Sequence, residues 1–217
     1  MYVQNIFEET RTEVLHGLMC DHPMASLVML TPNGLDANNL PIEVDATLGP
    51  LGTLRCHVGK MNPCWRDFSP DLEAMVIFQG PNAYISPSWY VNGQKSGKVL
   101  PSWNYAVVHA YGTIRVMDDD AWLMRHLGEL ARRNEAGREK PWQMKDAPED
   151  FVKKSAEFIV GLEITITRLI GKWQVSQQRT AADRESVSAA LLRESGPSAA
   201  AVAGLIRRHK ERNHRAG

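Results

Sequence analysis

YAVVHAYGTIR, residues 105–115, is the segment that says most about the fold of this chain. Its residues alternate between two faces, as they do in a β-strand. Ala106, Val108 and Ala110 are among those on a small apolar face, whereas Tyr105 and His109 are among those on the other. The segment therefore predicts a strand with one face in a core and one face free to line a site.

Shorter strand-like runs separated by turn residues surround this segment. They are residues 25–30, 40–47, 53–58, 74–79, 83–85 and, late in the chain, 161–168. Asn33-Gly34 and Asn92-Gly93 are typical of the turns that join two strands of a hairpin. This pattern predicts a mostly antiparallel sheet or barrel.

Helices are predicted at the ends of the chain and between the later strands. The segments are residues 7–19, 118–133, 148–158, 181–193 and 197–210. Asp118-Asp119-Asp120 is a strong helix start, because carboxylates cap and favour the N-terminal turn. We therefore expect an α+β fold with peripheral helices, with one domain over residues 1–195 and a basic helical tail over residues 196–217.

Composition excludes several classes of protein. The chain has 217 residues, with 25 Lys and Arg against 25 Asp and Glu, and 43% of its residues are hydrophobic. This is typical of a globular protein and argues against one that binds nucleic acid over its whole surface. Residues 1–108 carry 6 basic and 10 acidic residues, and residues 109–217 carry 19 and 15. The positive excess is thus concentrated in the tail.

The compartment is predicted to be the cytoplasm. Three cysteines, Cys20, Cys56 and Cys64, form no CxxC pair and give no closed disulfide framework. The N-terminal residues lack the pattern of a signal peptide. The longest uncharged stretch, residues 74–94, contains Pro81 and Pro87, so we expect no membrane span.

Three clusters of residues could carry chemistry. The first comprises residues 79–90 and 101–105, where Trp103, Asn104 and Tyr105 supply flat walls and hydrogen bonds suited to a planar heteroaromatic ligand. The alternative is a hairpin corner whose aromatic rings cap the sheet or form a dimer interface.

The second and third clusters suit an anion. His57, Lys60 and Asn62 follow one another at the end of a predicted strand, as a phosphate site requires, although a solvated strand end explains them equally well. After the late strand, the third cluster offers further donors. These are Lys172, Ser176, Gln177 and Arg179.

Other sites find less support in the sequence. His109 could act as a general acid or base, or it could be a structural histidine. The His and Cys residues lack the spacing of a zinc site, so we expect no metal. No GxGxxG, P-loop or GxSxG motif is present.

Taken in order, these clusters resemble the PaiB family of FMN-binding negative transcriptional regulators. The resemblance rests on GPNAYISPSWY at residues 80–90, VLPSWNYAVVHAYG at residues 99–112 and KWQVSQQR at residues 172–179. The opening Met1-Tyr2-Val3 and the pairs His57-Val58 and Asn62-Pro63 match as well. The family usually has Ala-Arg where Gly59-Lys60 stands, Thr where Ser102 stands and Leu-Ser-Gln-Asn-Arg at residues 175–179.

The resemblance implies an FMN-binding split β-barrel that works as a homodimer, with the flavin at the subunit interface. His57, Lys60, Asn62, Lys172, Ser176, Gln177 and Arg179 would then bind the phosphate or the polar ring edge, with Trp103, Asn104 and Tyr105 at the ring. A regulator would need DNA or a regulatory protein as its partner. The basic tail is the candidate DNA contact, because no helix-turn-helix is evident. The alternatives are a flavin-dependent oxidoreductase and a haem-binding split barrel.

Overall fold

The computed structural model describes residues 1–194 and 196–215, and their side chains as far as Arg208. The described strands are β1 (Glu8–Glu9), β2 (Met24–Thr31), β3 (Gly34–Pro41), β4 (Glu43–Asp45), β5 (Thr53–Gly59), β6 (Ala74–Ile85), β7 (Ser102–Met117) and β8 (Ile159–Gln174). The helices are α1 (Thr12–Asp21), α2 (Cys64–Asp67), α3 (Val91–Ser96), α4 (Asp120–Glu135), α5 (Glu149–Ala156), α6 (Ala181–Leu191) and α7 (Pro197–Arg215).

The strands form one sheet in the order β3-β2-β6-β7-β8-β5-β4, and β1 pairs with β8. The neighbours β2 and β3, β2 and β6, β4 and β5, and β5 and β8 run antiparallel, as does the pair of β1 with β8. Among the described residues, β3 and β4 form the two ends of this order, so the sheet is not closed by a ladder between them. The predicted α+β class with a mostly antiparallel sheet is confirmed.

The chain divides into two compact units. Unit 1 comprises Met1–Leu18, Gln79–Val108 and Ile170–Gly217, and unit 2 comprises Met19–Phe78 and His109–Leu169. Each unit is therefore assembled from separated stretches of sequence, and β6, β7 and β8 contribute residues to both.

Unit 1 has an apolar core in which α6 and α7 pack with the end of β6. Its buried members are Ile85, Tyr90, Val175, Val187, Leu191, Val202, Ala203 and Ile206. Burying a side chain of the size of Val or Ile stabilises a fold by about 1.5–3 kcal/mol relative to leaving it exposed. The first turns of α7 thus belong to unit 1, and the functional boundary expected after residue 195 stays a prediction.

Unit 2 places alternate residues of β5 on opposite faces. Leu54, Cys56 and Val58 are buried, while Arg55 and His57 lie on the other face and are partly exposed. β5 pairs with β8 so that His57 is opposite Gly161. This alternation, rather than a loop, sets the position of the His57 side chain.

One of the two predicted hairpin turns is correct. Thr31 pairs with Gly34 where β2 turns into β3, and Gly34 has a φ of 105°, which favours glycine at a tight turn. The prediction at Asn92-Gly93 is wrong, because both residues lie in α3. There the Asn92 N–H donates to Asp183 Oδ1 at 2.9 Å, and a Cβ on Gly93 would lie 2.0 Å from a methyl carbon of Val99.

Strand extents also differ from the sequence expectation. The runs at 74–79 and 83–85 are parts of one strand, β6, and β8 continues to Gln174 beyond the predicted end at residue 168. The sequence did not indicate β3, since none of its residues is fully buried and its apolar residues do not alternate regularly with polar ones. Within the part of the chain that the structure describes, no helix has the length and apolar character that crossing a membrane requires.

Candidate functional site

The turn that follows β8 is fastened to the start of β7 by a buried hydrogen bond. Asn104 Nδ2 donates to Ser176 Oγ at 2.9 Å, and both side chains are buried. Ser176 has a φ of 62°, an uncommon conformation for a residue with a side chain. Such a residue persists where its surroundings hold it in place, and the bond to Asn104 is part of that support.

Gln177 stabilises the same turn from within. Its Oε1 accepts a hydrogen bond from the Val175 N–H at 2.7 Å, and its Nε2 donates to the Trp173 carbonyl. Both polar atoms of the amide are therefore engaged inside the turn. Sequence analysis predicted a ligand contact for Gln177, and the structure gives it a role in shaping the turn.

Two cations of this segment lie over aromatic rings. Lys172 Nζ is 5.3 Å from the centre of the Tyr105 ring, and Arg179 Cζ is 4.6 Å from the centre of the Tyr90 ring. Cation–π contacts of this kind contribute about 0.5–2 kcal/mol and leave the N–H donors available. Arg179 Nε is buried, and none of the described residues forms a hydrogen bond with it.

Arg184 extends this positive region and was missed by sequence analysis. Its Nη1 donates to the Arg179 carbonyl at 2.5 Å, and its buried Nε has no hydrogen-bond partner among the described residues. The clue in the sequence was its place one turn into α6, after the cap that Thr180 provides. A cation near a helix start is unusual, because the helix dipole favours acids there.

An exposed aromatic pair joins β7 and β6 in unit 1. Trp103 is 54% exposed and meets Tyr84, which is 45% exposed, edge to face at 6.0 Å between ring centres. Gln174 Nε2 donates to the Trp103 carbonyl at 3.1 Å. We call the set Trp103, Asn104, Tyr105, Lys172, Ser176 and Arg179 the turn cluster. All six lie in unit 1, where Asn104 contacts Ser176, Lys172 lies over Tyr105 and the Arg179 N–H donates to the Ser176 carbonyl.

Besides Gln177, which lies in unit 1 with those six, three predicted site residues lie in unit 2, and we call them the strand-end cluster. Lys60 Nζ is 3.0 Å from Asp118 Oδ1. Asn62 Nδ2 donates to Asn38 Oδ1 at 2.8 Å, while its Oδ1 accepts from the Cys64 N–H at 3.0 Å. His57 completes the set at the end of β5. Lys60 and Asn62 are thus oriented by neighbours in the same unit.

His57 contacts a second histidine that sequence analysis did not single out. His57 Nδ1 lies 3.1 Å from His126 Nε2, and His126 Nδ1 lies 3.2 Å from Glu43 Oε2. Burial lowers the pKa of His57, and so does the neighbouring His126, whereas Glu43 opposes them. His126 lies one turn after Trp122 on the buried face of α4, a helical spacing that could have indicated it.

Glu163 on β8 is a buried carboxylate that receives several donors. Trp122 Nε1 donates to it at 2.9 Å, Arg115 Nη2 at 2.5 Å and Arg55 Nε at 3.2 Å. Burial acts to raise the pKa of Glu163, but hydrogen bonds from Trp122 and Arg115 lower it overall. This carboxylate is fully satisfied, so it serves to join β5, β7, β8 and α4.

His109 lies on the partly exposed face of β7, as predicted. Its ring is 6.4 Å from that of Tyr111, over which Arg168 Cζ lies 3.6 Å from the ring centre. Burial lowers the pKa of His109, and its Nδ1 is buried without a hydrogen-bond partner among the described residues. Such a group is available for proton transfer.

Comparison with known sequences gives one family over most of the chain. A family model described as "Putative FMN-binding domain" matches residues 1–168. An uncharacterized protein of Emericella nidulans is 30% identical over 246 aligned residues, which cover 97% of this chain and 98% of that protein. Protease synthase and sporulation protein PAI 2 of Bacillus subtilis is 28% identical, with 95% of this chain and 96% of that protein covered.

Solved structures with low sequence identity share the fold. The flavocytochrome Anf3 from Azotobacter vinelandii superposes with a TM-score of 0.57 at 11% identity, over 83% of this chain and 73% of that one. The FAD and heme binding protein from Mycobacterium smegmatis superposes with a TM-score of 0.56 at 16% identity, over 82% and 78%. The fold of the chain is accordingly the predicted split barrel with peripheral helices.

Proposed function

Because the chain belongs to the PaiB-type family of FMN-binding proteins, with FMN as its cofactor, we propose that it acts as a flavin-dependent regulator in the form of a homodimer. The regulatory role, the homodimer and the residues that hold FMN are the parts of this proposal that go beyond family membership. Bound FMN supplies a ring that accepts and returns electrons.

The turn cluster carries the assignment of the phosphate site. A phosphate dianion requires cations and N–H donors, and charge-assisted bonds of this kind are among the strongest in proteins. Arg179 Nε and Arg184 Nε are buried donors without a hydrogen-bond partner among the described residues, and a buried donor left unpaired costs about 1–3 kcal/mol. An anion bound at Arg179 would supply a partner for its Nε and remove that cost there. The residues present therefore fit the group.

We assign the isoalloxazine ring to the aromatic side of the same cluster. Trp103 and Tyr84 expose flat surfaces that sheet packing does not use. Aromatic side chains of this kind offer a large contact area to a planar ring. The strand-end cluster provides the remaining predicted contacts through His57, Lys60 and Asn62. In a homodimer, residues of two subunits can contribute to one flavin.

Titration of the purified protein with FMN tests this assignment. We expect Lys172→Gln and Arg179→Gln each to weaken FMN binding about tenfold or more, since each removes a charge-assisted contact. Quenching of flavin fluorescence measures the dissociation constant. Lys95→Gln is the matched control, because Lys95 is an exposed cation of unit 1 outside the cluster. Wild-type affinity in both cluster variants would overturn the phosphate assignment.

The basic tail is the part of the chain that we propose to contact DNA or a regulatory partner. Arg207 Nε donates to Ser188 Oγ at 3.0 Å, so this residue also fastens α7 to α6. Lys210, Arg212 and Arg215 belong to the predicted tail, but their side chains lie outside the described residues. The name of the Bacillus subtilis relative, which refers to protease synthesis and sporulation, supports a regulatory role.

Shortening the chain after Arg208 tests the tail without removing its buried residues Val202, Ala203 and Ile206. Loss of basic side chains is expected to weaken binding to the operator region and to flatten its dependence on salt, by about one unit of log–log slope per lost phosphate contact. Gel-shift titrations at several salt concentrations measure both quantities. Unchanged binding with an unchanged slope excludes the tail as the DNA contact.

His109 favours one second candidate, an oxidoreductase that acts on a small molecule. Its half-buried imidazole has a buried Nδ1 with no hydrogen-bond partner in the described part of the chain, as a proton-transfer group requires. Anaerobic NAD(P)H is expected to bleach the flavin absorption of such an enzyme, and more slowly in His109→Gln. A spectrum that NAD(P)H does not change excludes turnover with that donor, and the same absorption spectrum distinguishes flavin from haem.

A further inference from the structure

Unit 2 contains a cavity of about 650 Å³ that none of the proposed flavin contacts lines. Residues of β4 and the following turn form one wall, and α4 forms the other. Pockets that hold small molecules usually measure about 300–1,000 Å³ and combine apolar walls with a few polar groups. This cavity has both, since Val44 and Ala46 supply apolar surface beside charged side chains.

One buried polar group of the cavity is a carboxylate with an unused acceptor. Glu43 is 6% exposed, and its Oε1 accepts no hydrogen bond from any described residue. Arg133 Nε lies 3.6 Å away, an ion pair too long for a hydrogen bond. The other oxygen is 3.2 Å from His126 Nδ1 but is not aligned for a hydrogen bond. A buried acceptor of this kind favours a ligand that brings an N–H donor.

Arg125 supplies the complementary group. It lines the same cavity, is exposed, and has neither an ion pair nor a hydrogen bond to another described residue. Arg55, in contrast, is engaged by Asp45 at 2.9 Å and by Glu163. Arginine binds carboxylates through two parallel N–H bonds. Among the described residues of the lining, the free groups are therefore the acceptor at Glu43 and the cation at Arg125, with the unpaired Nδ1 of His126 next to that acceptor.

The charge of the lining also limits the ligand. The formal charges of its three arginines, Arg55, Arg125 and Arg133, balance those of its three acids, Glu43, Asp45 and Glu129. A ligand with a large net charge gains little from such a lining, whereas a dipolar one can satisfy both free groups.

We propose that this cavity is a binding site for a small zwitterion of the α-amino acid class, with its ammonium group at Glu43 and its carboxylate at Arg125. The apolar walls at Val44 and Ala46 receive the side chain of the ligand. The site is separate from FMN binding and is independent of the proposed regulatory role.

Isothermal titration calorimetry of the FMN-saturated protein with each of the standard L-amino acids tests the proposal. At least one is expected to bind with a dissociation constant below about 10 mM. The decarboxylated amine and the deaminated acid of that amino acid are then titrated. Each is expected to bind about tenfold or more weakly than the amino acid, because each lacks one of the two charged groups.

Variants connect each ligand group with its residue. Arg125→Gln is expected to weaken binding of the amino acid about tenfold and to leave binding of the amine unchanged. Glu43→Gln is likewise expected to weaken binding of the amino acid and to leave binding of the deaminated acid unchanged. Arg125 is exposed, so its variant is expected to fold even where the Glu43 variant does not. Arg138→Gln is the control, since Arg138 pairs with Glu135 outside the cavity and its loss leaves affinity unchanged.

Three results would overturn the proposal. One is that no standard amino acid binds below about 10 mM. A second is wild-type affinity in both cavity variants. The third is release of FMN when the amino acid is added, since this would identify the cavity as part of the flavin site.

Discussion

Single residues decide how the candidate site responds to pH. His57 and His126 place two imidazoles 3.1 Å apart, and burial is the main reason why the pKa of His57 falls below its usual value of 6.5. The titratable neighbours that act on the pKa of His57 are His126 on α4, which lowers it, and Glu43 on β4, which raises it. Protonating His57 adds a charge next to another histidine in a partly dry environment.

Acid is therefore expected to destabilise the native protein through His57. A histidine whose pKa is lower in the folded state binds fewer protons there than in the unfolded chain. The contribution of His57 to stability is therefore complete above the unfolded pKa of 6.5. That contribution is lost as the pH falls towards the lowered pKa of the folded state. Melting temperatures measured from about pH 7.5 to 5 should fall with acid. In His57→Gln the fall should be smaller, and an identical pH profile would contradict this account. The pKa of His109 is lowered as well, so His109 contributes a loss of stability in acid that remains in the His57→Gln variant.

Thiol reactivity is also set residue by residue. Burial raises the pKa of Cys56 to about 12 and that of Cys64 to about 11, whereas Cys20 is exposed. Because the thiolate is the reactive form, a thiol reagent at mild alkaline pH is expected to label Cys20 first. Counting labelled thiols by mass spectrometry checks this expectation. Cys20→Ser should abolish the fast phase, and persistence of that phase would show that a buried thiol is accessible.

At the scale of elements, close approaches between strands depend on glycines. A Cβ on Gly112 of β7 would lie 2.2 Å from the Thr165 carbonyl oxygen of β8, which is backbone and cannot move aside cheaply. We expect Gly112→Ala to destabilise the protein by about 1–3 kcal/mol or more, as overpacking does. Urea unfolding measures the change.

Gly17 is the matched comparison in a helix. Nothing lies within 4 Å of a Cβ added there, and the residue is inside α1. Gly17→Ala is therefore expected to stabilise the protein by about 0.5–1 kcal/mol, since alanine is the better helix former. Equal effects of the two substitutions would mean that the contact with Thr165 does not control the cost at Gly112.

Elements with a clear hydrophobic pattern could be predicted from the sequence, and those without one could not. The alternation in β7 and the start signal of α4 are local, so those two elements were placed within about three residues, and the alternation in β8 located that strand but not its C-terminal end. β3 was missed because its exposed face and lack of buried residues give no hydrophobic signal. Asn92-Gly93 looked like a turn, but the tertiary contact with Asp183 favours a helix there.

For the candidate site as well, local sequence signals could be recognised and tertiary contacts could not. The turn cluster could be predicted, because its members lie in two short stretches rich in chemistry-bearing residues. The Glu43, His57 and His126 contact could not, since it joins residues from three elements that the sequence separates by many positions. The cavity likewise depends on the pairing of β4 with β5 and on the placement of α4, neither of which is a local signal.

For the molecule as a whole, the proposed homodimer predicts a mass and a stoichiometry. Leu100, Trp103 and Tyr84 in unit 1 are exposed apolar residues, and the association of subunits is one way to cover such surface. Analytical ultracentrifugation is expected to give a dimer that binds two FMN molecules. Trp103→Asp should shift the equilibrium towards the monomer and weaken FMN binding at the same time. A monomeric protein that binds FMN with full affinity would contradict the proposed homodimer.

The two compact units have a further consequence for the synthesis of the protein. Unit 1 needs segments from the start, the middle and the end of the chain, and unit 2 is complete only when Leu169 has been made. Neither unit can therefore finish folding before most of the chain has been synthesised. Domains formed from one continuous segment, in contrast, can fold in the order of translation. A fragment cut at any single point lacks part of at least one unit. Expression of the chain in halves should fail for this reason, because each half lacks strands or helices that complete at least one unit.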